Sequence, residues 1–509
     1  MFTTGISFLL KQQNYNPSNR SGMKKQNLLL LLACLLTGTL HVSSQVFKYV
    51  VAANGSGDYT SIQTAINACP DNERSIIFIK NGMYYGQTSI GTKTTASNKI
   101  ISLIGENRDS VILSYDKSLN MVSTFELTTT FQIYAKNFYA ENVSFVNSAG
   151  NTGQALALYT AGDMATFKNC TLKGYQDTYR AKKGTRSYFK NCWVEGAVDF
   201  IYAGGTVFFD DCTINCVKGG GYIVAPEDRY KFIPASSTTT GKELNLEFIF
   251  RNCNITANPD VADNSFSLGR PWNVNSGAYY INCKLGSHIK AAGWTTMSGN
   301  ETTASFGEYA SVDKNGSPVN TSGRVSWSFQ LAKEDVDNFL NPAYVYAQLS
   351  TTAYDPVSLC VPPTKPTLLV TNNVISWNAL IDAIGYIIYK DGKYLGSVTE
   401  INYVDNSGTN GIYSVRAVNP IGVLSEAATI PTALSEIQLN EPEIKVTNQS
   451  IRLNQSVDLI QLFSTTGSII VQNTNESILP LNAFYHGIFI LKIRNNGSVF
   501  TKKIVLYTK

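Results

Sequence analysis

The chain has 509 residues, too many for one ordinary core, so two to four domains are expected. Lys and Arg number 41 against 37 for Asp and Glu, a balance that leaves nothing to suggest a nucleic-acid binder. Abundant Gly, Asn, Ser and Thr with 11% aromatics fit an all-β exported protein.

The first element in chain order is an export signal. Met23-Lys24-Lys25 precedes an apolar run from Leu28 to Leu40 and the small residues Val42-Ser43-Ser44. Translation from Met23 is expected, with 1–22 an upstream lead. The run falls short of the ~20 apolar residues of a membrane helix. Leu31-Leu32-Ala33-Cys34 is faintly like a lipoprotein cleavage site, but the apolar stretch before Cys34 is short, so ordinary cleavage near Gln45 is expected. Ile62 to Cys69 reads as a short helix capping the open end of a solenoid.

The solenoid itself is written as a repeat. Phe167-Lys168-Asn169-Cys170 recurs as Phe189-Lys190-Asn191-Cys192, Phe209-Asp210-Asp211-Cys212, Phe250-Arg251-Asn252-Cys253 and Tyr280-Ile281-Asn282-Cys283. The cysteine steps are 22, 20, 41 and 30, so later coils must carry insertions. Aromatic, polar, Asn or Asp, then small apolar describes a short strand with inward Phe and Cys, ended by a turn residue. Asn169, Asn191 and Asn252 read as a stacked turn ladder. A parallel β-helix advances one coil in roughly 20–25 residues, which matches the shorter steps. Cys192 and Cys212, one coil apart in an exported protein, are a candidate disulfide. No CxxC pair has a matching His cluster, so no metal site and no cofactor are implied.

Gln154, Gln176-Asp177 and Asp199 share the period, with 176 − 154 = 22 and 199 − 177 = 22. One coil apart, such residues stack about 4.8 Å from each other. Two carboxylates and two side-chain amides then meet on one face. An ionised carboxylate beside a protonated one is the minimum set for nucleophilic and acid–base chemistry without a metal. Taken singly, Asp177 also reads as a turn residue, Asp199 as half of a structural ion pair with Arg270, and Trp272 as an edge-packing side chain.

Gln154-Ala155-Leu156-Ala157-Leu158, Gly174-Tyr175-Gln176-Asp177-Thr178, Val198-Asp199-Phe200-Ile201-Tyr202 and Leu268-Gly269-Arg270-Pro271-Trp272 occur in that order. Together they closely resemble the pectin methylesterase family, carbohydrate esterases with a right-handed parallel β-helix. The resemblance covers about 46–346. It implies that Asp199 attacks the methyl ester of a galacturonate unit in homogalacturonan. Asp177 would protonate the departing methanol and then deprotonate water, and Gln154 and Gln176 would hold the oxyanion. Arg270 would hold Asp199 and lower its pKa. Trp272 would face a sugar ring, with Val198 and Tyr202 lining the substrate site. A monomer is expected.

The sequence departs from the family where Gly-x-Tyr-x-Glu is usual: Gly82-Met83-Tyr84-Tyr85-Gly86 lacks the acid. Tyr179 replaces an aliphatic and Ala203 a Gly, which bears on substrate preference. Other functions have less support. The repeat region has only His288 and no Gly-x-Ser-x-Gly elbow for a serine hydrolase. Only one carboxylate pair is evident for a calcium-dependent β-helix lyase. A non-catalytic pectin-binding solenoid is the alternative from another class.

After a proline-rich linker, 347–362, a different pattern begins. Ile375-Ser376-Trp377, Gly385–Lys390 before the hairpin signal Asp391-Gly392, and Tyr413–Asn419 alternate as sandwich strands. The segment 363–433 resembles a fibronectin type III domain. From 436 to 509, Val457–Gly467, His486–Ile493 and Lys502–Leu506 resemble the C-terminal sorting domain of type IX secretion, with Phe489 in place of a usual Tyr. This implies type IX machinery as a partner and the exterior or surface of a Gram-negative bacterium as the location. The alternative is a second immunoglobulin-like sandwich. The expected architecture is therefore all-β: a right-handed parallel β-helix and two small β-sandwiches. The repeat region is expected to act alone when ended near Tyr346 or Pro362.

Overall fold

The computed structural model describes residues 45–227, 232–233, 244–371, 374–406, 411–431, 443–447, 449–465, 467–482, 485, 487–495 and 498–506. The expected export signal, with Met23 and Cys34, lies outside them, as do His486 and Thr466 of the C-terminal motifs.

Three parallel sheets wind into a β-helix. Among the described residues they hold 11, 9 and 7 strands. The central coils give one strand to each sheet in turn, with the right-handed crossover that parallel connections take, while the first and last coils skip a sheet. The 11-stranded sheet carries the aromatic repeat in register: Phe167 pairs Phe189, Phe189 pairs Phe209, Phe209 pairs Phe250 and Phe250 pairs Tyr280. Their rings stack inside the solenoid with centroids 4.5, 4.9, 4.8 and 4.5 Å apart. That is the strand spacing itself. Each strand ends at a left-handed residue, Asn169, Asn191, Asp211, Asn252 and Asn282, with φ between 49° and 56°. Asn and Asp tolerate this region, which explains their place in every repeat. Asn169 also donates to Asn142 Oδ1 at 2.7 Å, so the turn residues form a ladder as expected.

The disulfide expectation is corrected. Cys192 and Cys212 are both free thiols, buried in the core. The flanking strands place them in register, Lys190 on Asp210 and Trp193 on Thr213. Stacked side chains keep their Cβ atoms near the strand spacing of about 4.8 Å, wider than the ~3.5–4.5 Å a disulfide needs. Cys212 Sγ instead donates to Phe189 O at 3.4 Å and Cys192 Sγ to Lys190 O at 3.4 Å. Burial holds the Cys192 thiol well above its usual range. Denatured, unreduced protein is therefore expected to titrate with thiol reagent at both positions, and the melting temperature should not respond to reductant.

The helix Ile62–Ala68 caps the first coils, with Ile62, Ala65 and Ile66 buried in the solenoid core and Ser61 accepting from Thr64 N. The other margin differs from expectation. The segment read as a linker is packed. Helix Pro342–Leu349 and the residues after it bury Val345, Tyr346, Leu349, Tyr354 and Cys360 against Tyr188, Phe208 and Tyr279, on the outer face of the 11-stranded sheet. Arg186, 1% exposed, pairs with Asp163 at 2.6 Å and donates to Thr352 O at 2.8 Å. Tyr354 hydroxyl donates to Ala165 O at 2.9 Å.

Beyond it, antiparallel sheets of three and four strands enclose Ile375, Trp377, Tyr386, Ile388, Tyr413 and Val415. Asp391 and Gly392, with φ of 51° and 76°, make the expected hairpin turn. The opposite face of strand Gly385–Lys390 does not meet solvent. Ile387 and Tyr389, with Val418, Val423 and Leu424, pack on Phe47, Ile76, Phe78, Ile104 and Tyr139 of the solenoid. Buried Glu141 accepts from Leu424 N at 3.2 Å, and Glu106 from Tyr394 N at 2.8 Å. The last strands, Ile444–Val446, Ser450–Ser464, Ile469–Pro480, Gly487–Asn495 and Ser498–Leu506, form one antiparallel sheet around Ile460, Leu462, Leu491 and Ile493.

Candidate active site

The 7-stranded sheet gathers the acid and amide residues. Gln154 bridges Gln176, and Gln176 bridges Val198, in parallel register. The stack is continued by Ala155 N donating to Gln176 O at 3.0 Å and Asp177 N to Val198 O at 3.1 Å. The 22-residue period thus brings the amides into one column and the next residues, Asp177 and Asp199, into the adjacent one. Both aspartates have left-handed backbone, with φ of 64° and 45°. The pairing of strand Val198–Ala203 with Tyr222–Pro226 is irregular between Val198 and Ile201, where Asp199 sits.

Arg270 follows strand Ser267–Gly269, where its N–H donates to Val224 O at 3.0 Å. Its guanidinium grips Asp199 with two parallel bonds, Nε to Oδ1 at 3.0 Å and Nη2 to Oδ2 at 2.6 Å. It lies 3.9 Å over the Tyr222 ring, which fixes its plane. Trp272 is 41% exposed, and its ring meets the edge of buried Tyr202 at 5.8 Å. Asn300 donates to Trp272 O at 3.0 Å and anchors that loop. Gln154, Gln176, Asp177, Val198, Asp199, Tyr202, Arg270 and Trp272 therefore all belong to this sheet or the loop leaving it. The departure at Gly86 has a local reason: its φ of 119° is a backbone only glycine adopts easily.

The two carboxyl groups differ. Burial pushes the Asp177 carboxyl well above the usual range, and the neighbouring Asp199 charge pushes it further, against smaller pulls from Arg180 and Arg270. Burial also raises Asp199, and the Arg270 bonds work against it. Arg270 lowers the Asp199 carboxyl as expected, but burial outweighs it and the net shift is upward. Asp199 still loses its proton before Asp177, and that difference sets a donor beside an anion. Among the described residues no group of three or more His, Cys, Asp or Glu side chains is arranged to hold a metal ion. Sequence reasoning missed Arg180, whose guanidinium sits among Phe125, Tyr159 and Tyr202 in the same sheet face. Its only signal was an outward position two residues after Thr178.

A family model described as Pectinesterase matches residues 48–348, more than half of the chain. A probable pectinesterase/pectinesterase inhibitor of Brassica napus is 31% identical over 313 residues, 58% of this chain and 51% of that protein. Pectinesterase 4 of Arabidopsis thaliana is 31% identical over 290 residues, 55% and 47% of the two. The chain thus spans about half the length of the curated relatives it matches. The solved pectin methylesterase from carrot superposes with TM-score 0.53 at 27% identity, covering 60% of this chain and 95% of that one. With the paired carboxyls, the stacked glutamines and the arginine clamp standing within the matched residues, the chain belongs to the pectinesterase family.

Proposed function

We propose that this chain hydrolyses the methyl esters of homogalacturonan, giving pectate and methanol. The observation that carries the reading is Asp199, clamped at both oxygens by Arg270 and set one coil from the buried Asp177. Asp199 attacks the ester carbonyl carbon. The side-chain amides of Gln154 and Gln176 hold the oxyanion, a contribution of about 2.7–4 kcal/mol for a donor at such a site. Collapse expels methoxide, which takes the Asp177 proton and leaves as methanol. The galacturonyl group is now joined to Asp199 as an anhydride. Asp177, now anionic, takes a proton from water, whose oxygen attacks the galacturonyl carbon. The galacturonic acid formed separates from the Asp199 carboxylate and loses its proton to solvent, and Asp177 holds a proton again. Trp272, whose ring meets Tyr202, offers an aromatic face to a sugar ring, with Val198 on the same sheet lining the substrate site.

Methanol release from highly methylated pectin tests the reading. A protein that binds pectin but releases none is the non-catalytic solenoid instead. The pH profile is a second check. Activity needs Asp199 ionised and Asp177 protonated, so it falls at low pH through the Asp199 value and at high pH through the Asp177 value. Burial raises both carboxyls from their ordinary value, Asp177 the further, so both limbs are expected to be shifted upward. Arg270→Lys, which loses the two-point bond, should move the acid limb further up.

The outer units support a further part of the proposal. The sandwich over 363–433 is a fibronectin type III-like module, and 436–509 a type IX sorting domain that directs the protein out of a Gram-negative cell after removal of the leader. The five antiparallel strands and the Lys502-Lys503-Ile504-Val505-Leu506 terminal strand are compatible with that reading.

A further inference from the structure

Arg180 is the unexplained cation of the site. It stands in the cross-strand row Tyr159–Arg180–Tyr202 on the outer face of the 7-stranded sheet. Its guanidinium carbon lies 5.0 Å from the Tyr159 ring centre, 5.6 Å from Phe125 and 5.9 Å from Tyr202. Its Nε is buried and has no hydrogen-bond partner. Among the described residues it forms no ion pair. Of the acids near it, Glu126 is bonded to Lys93 at 2.7 Å, Asp177 is the proposed proton carrier, and Glu227, whose charge is felt with that of Arg180 at Tyr159 and Tyr202, forms no ion pair with it among the described residues. Three rings thus surround a planar cation whose charge is felt at the Asp177 carboxyl, and the proposed polymer carries carboxylates.

We propose that Arg180 is a specificity residue that receives the free carboxylate of a galacturonate unit neighbouring the one being de-esterified. The inference rests on the esterase reading above. A guanidinium fork matches a carboxylate with two parallel N–H···O bonds, and a methyl ester cannot accept them as an anion does. Arg180 follows Asp177 by three residues on the same coil and bonds neither Asp177 nor Asp199, so its fork is open to a unit next to the one Asp199 attacks. The rings fix its plane before substrate arrives, so little side-chain freedom is lost on binding. The enzyme would then favour stretches that already bear free acid, including its own product.

The test uses the full chain as wild type, Arg180→Gln and Arg180→Lys, each checked for fold by near-UV circular dichroism. Methanol release is measured on fully methylated hexagalacturonate and on a partly de-esterified one. Wild type is expected to favour the second in kcat/KM by about tenfold, the scale of one charge-assisted contact. Arg180→Gln should bring the ratio to about one, with Arg180→Lys between. An equal fall on both substrates, with the ratio unchanged, would show that Arg180 only packs against its rings, and would overturn the proposal. Binding of unesterified hexagalacturonate is measured by calorimetry at low and high salt. Arg180→Gln should bind about tenfold more weakly and with a shallower salt dependence. Unchanged affinity would also overturn it. This second measurement needs no turnover. Wild type inactive on both esters would sink the esterase reading, while the binding comparison would still decide the role of Arg180.

Discussion

Asp199→Asn will lower methanol release from methylated pectin by about 10⁴-fold or more, the scale seen when a covalent nucleophile is removed from an acyl-transfer site. An amide oxygen does not attack the ester, and no second carboxylate is clamped in its place. Asp177→Asn should cost about 10²–10⁴-fold, since it removes proton transfer and leaves the nucleophile. Asparagine is the substitution to use at both positions. The backbone at Asp177 and Asp199 is left-handed, with φ of 64° and 45°, and Asn tolerates that region where Ala is strained. Both variants should therefore fold, and wild-type turnover in either would remove the dyad from the mechanism. Asp177→Asn should also be the more stable protein at neutral pH. A carboxyl whose folded pKa is raised contributes its stability below the ordinary value of about 3.9 and loses it as pH rises toward the folded value. Wild type carries that loss and the Asn variant does not, so melts at acid and neutral pH should diverge in that direction.

Ending the chain at Tyr346 will give an insoluble or unfolded protein, and ending it at Pro362 a destabilised one. Ending it near 433 should give a soluble, active enzyme. The solenoid does not own its whole surface. Phe47, Ile76, Phe78, Ile104 and Tyr139 are buried under Ile387, Tyr389, Val423 and Leu424. Fully exposing such side chains costs about 1.5–3 kcal/mol each. A cut at Tyr346 also removes Thr352 and Tyr354, leaving Arg186 with one fewer partner in an interior position. The expected fall in melting temperature at Pro362 is about 10 °C or more, from roughly 2 °C per kcal/mol in a domain of this size. A 362 truncation that melts with the 433 form would show that the sandwich merely rests on the solenoid. This replaces the expectation that the repeat region works alone.

The sequence made the solenoid legible because a coil repeats its chemistry: Phe167, Phe189 and Phe209 stack one coil apart, and Gln154 with Gln176, and Asp177 with Asp199, are each 22 residues apart. Arg270 was different. It lies 71 residues beyond Asp199, across inserted coils, and only the family motif pointed to it. Arg180 escaped notice because its partners come from three separate coils, and one strand's alternation does not name them. The docked sandwich left a trace that went unread. Ile76-Ile77-Phe78-Ile79 is an unbroken apolar run, the mark of a strand covered on both faces, while a half-exposed strand alternates. The thiol pair was misjudged because a one-coil separation fixes a spacing that stacking favours and a disulfide does not.

The step of 41 residues between Cys212 and Cys253 leaves the register intact: Phe209 still meets Phe250, and Ile214 still meets Ile255. The described part of the extra chain, Phe232–Ile233 paired antiparallel with Leu244–Asn245, forms a two-stranded sheet separate from the ladder. Closing a longer loop costs only about 0.6 kcal/mol per doubling of its length. A solenoid of this kind can therefore acquire new text between its lines without rewriting them. The rim between Tyr222–Pro226 and Leu244–Asn245 is a place where a lineage could exchange recognition loops, or an engineer graft a reporter peptide, with the Asp199–Arg270 clamp left in register.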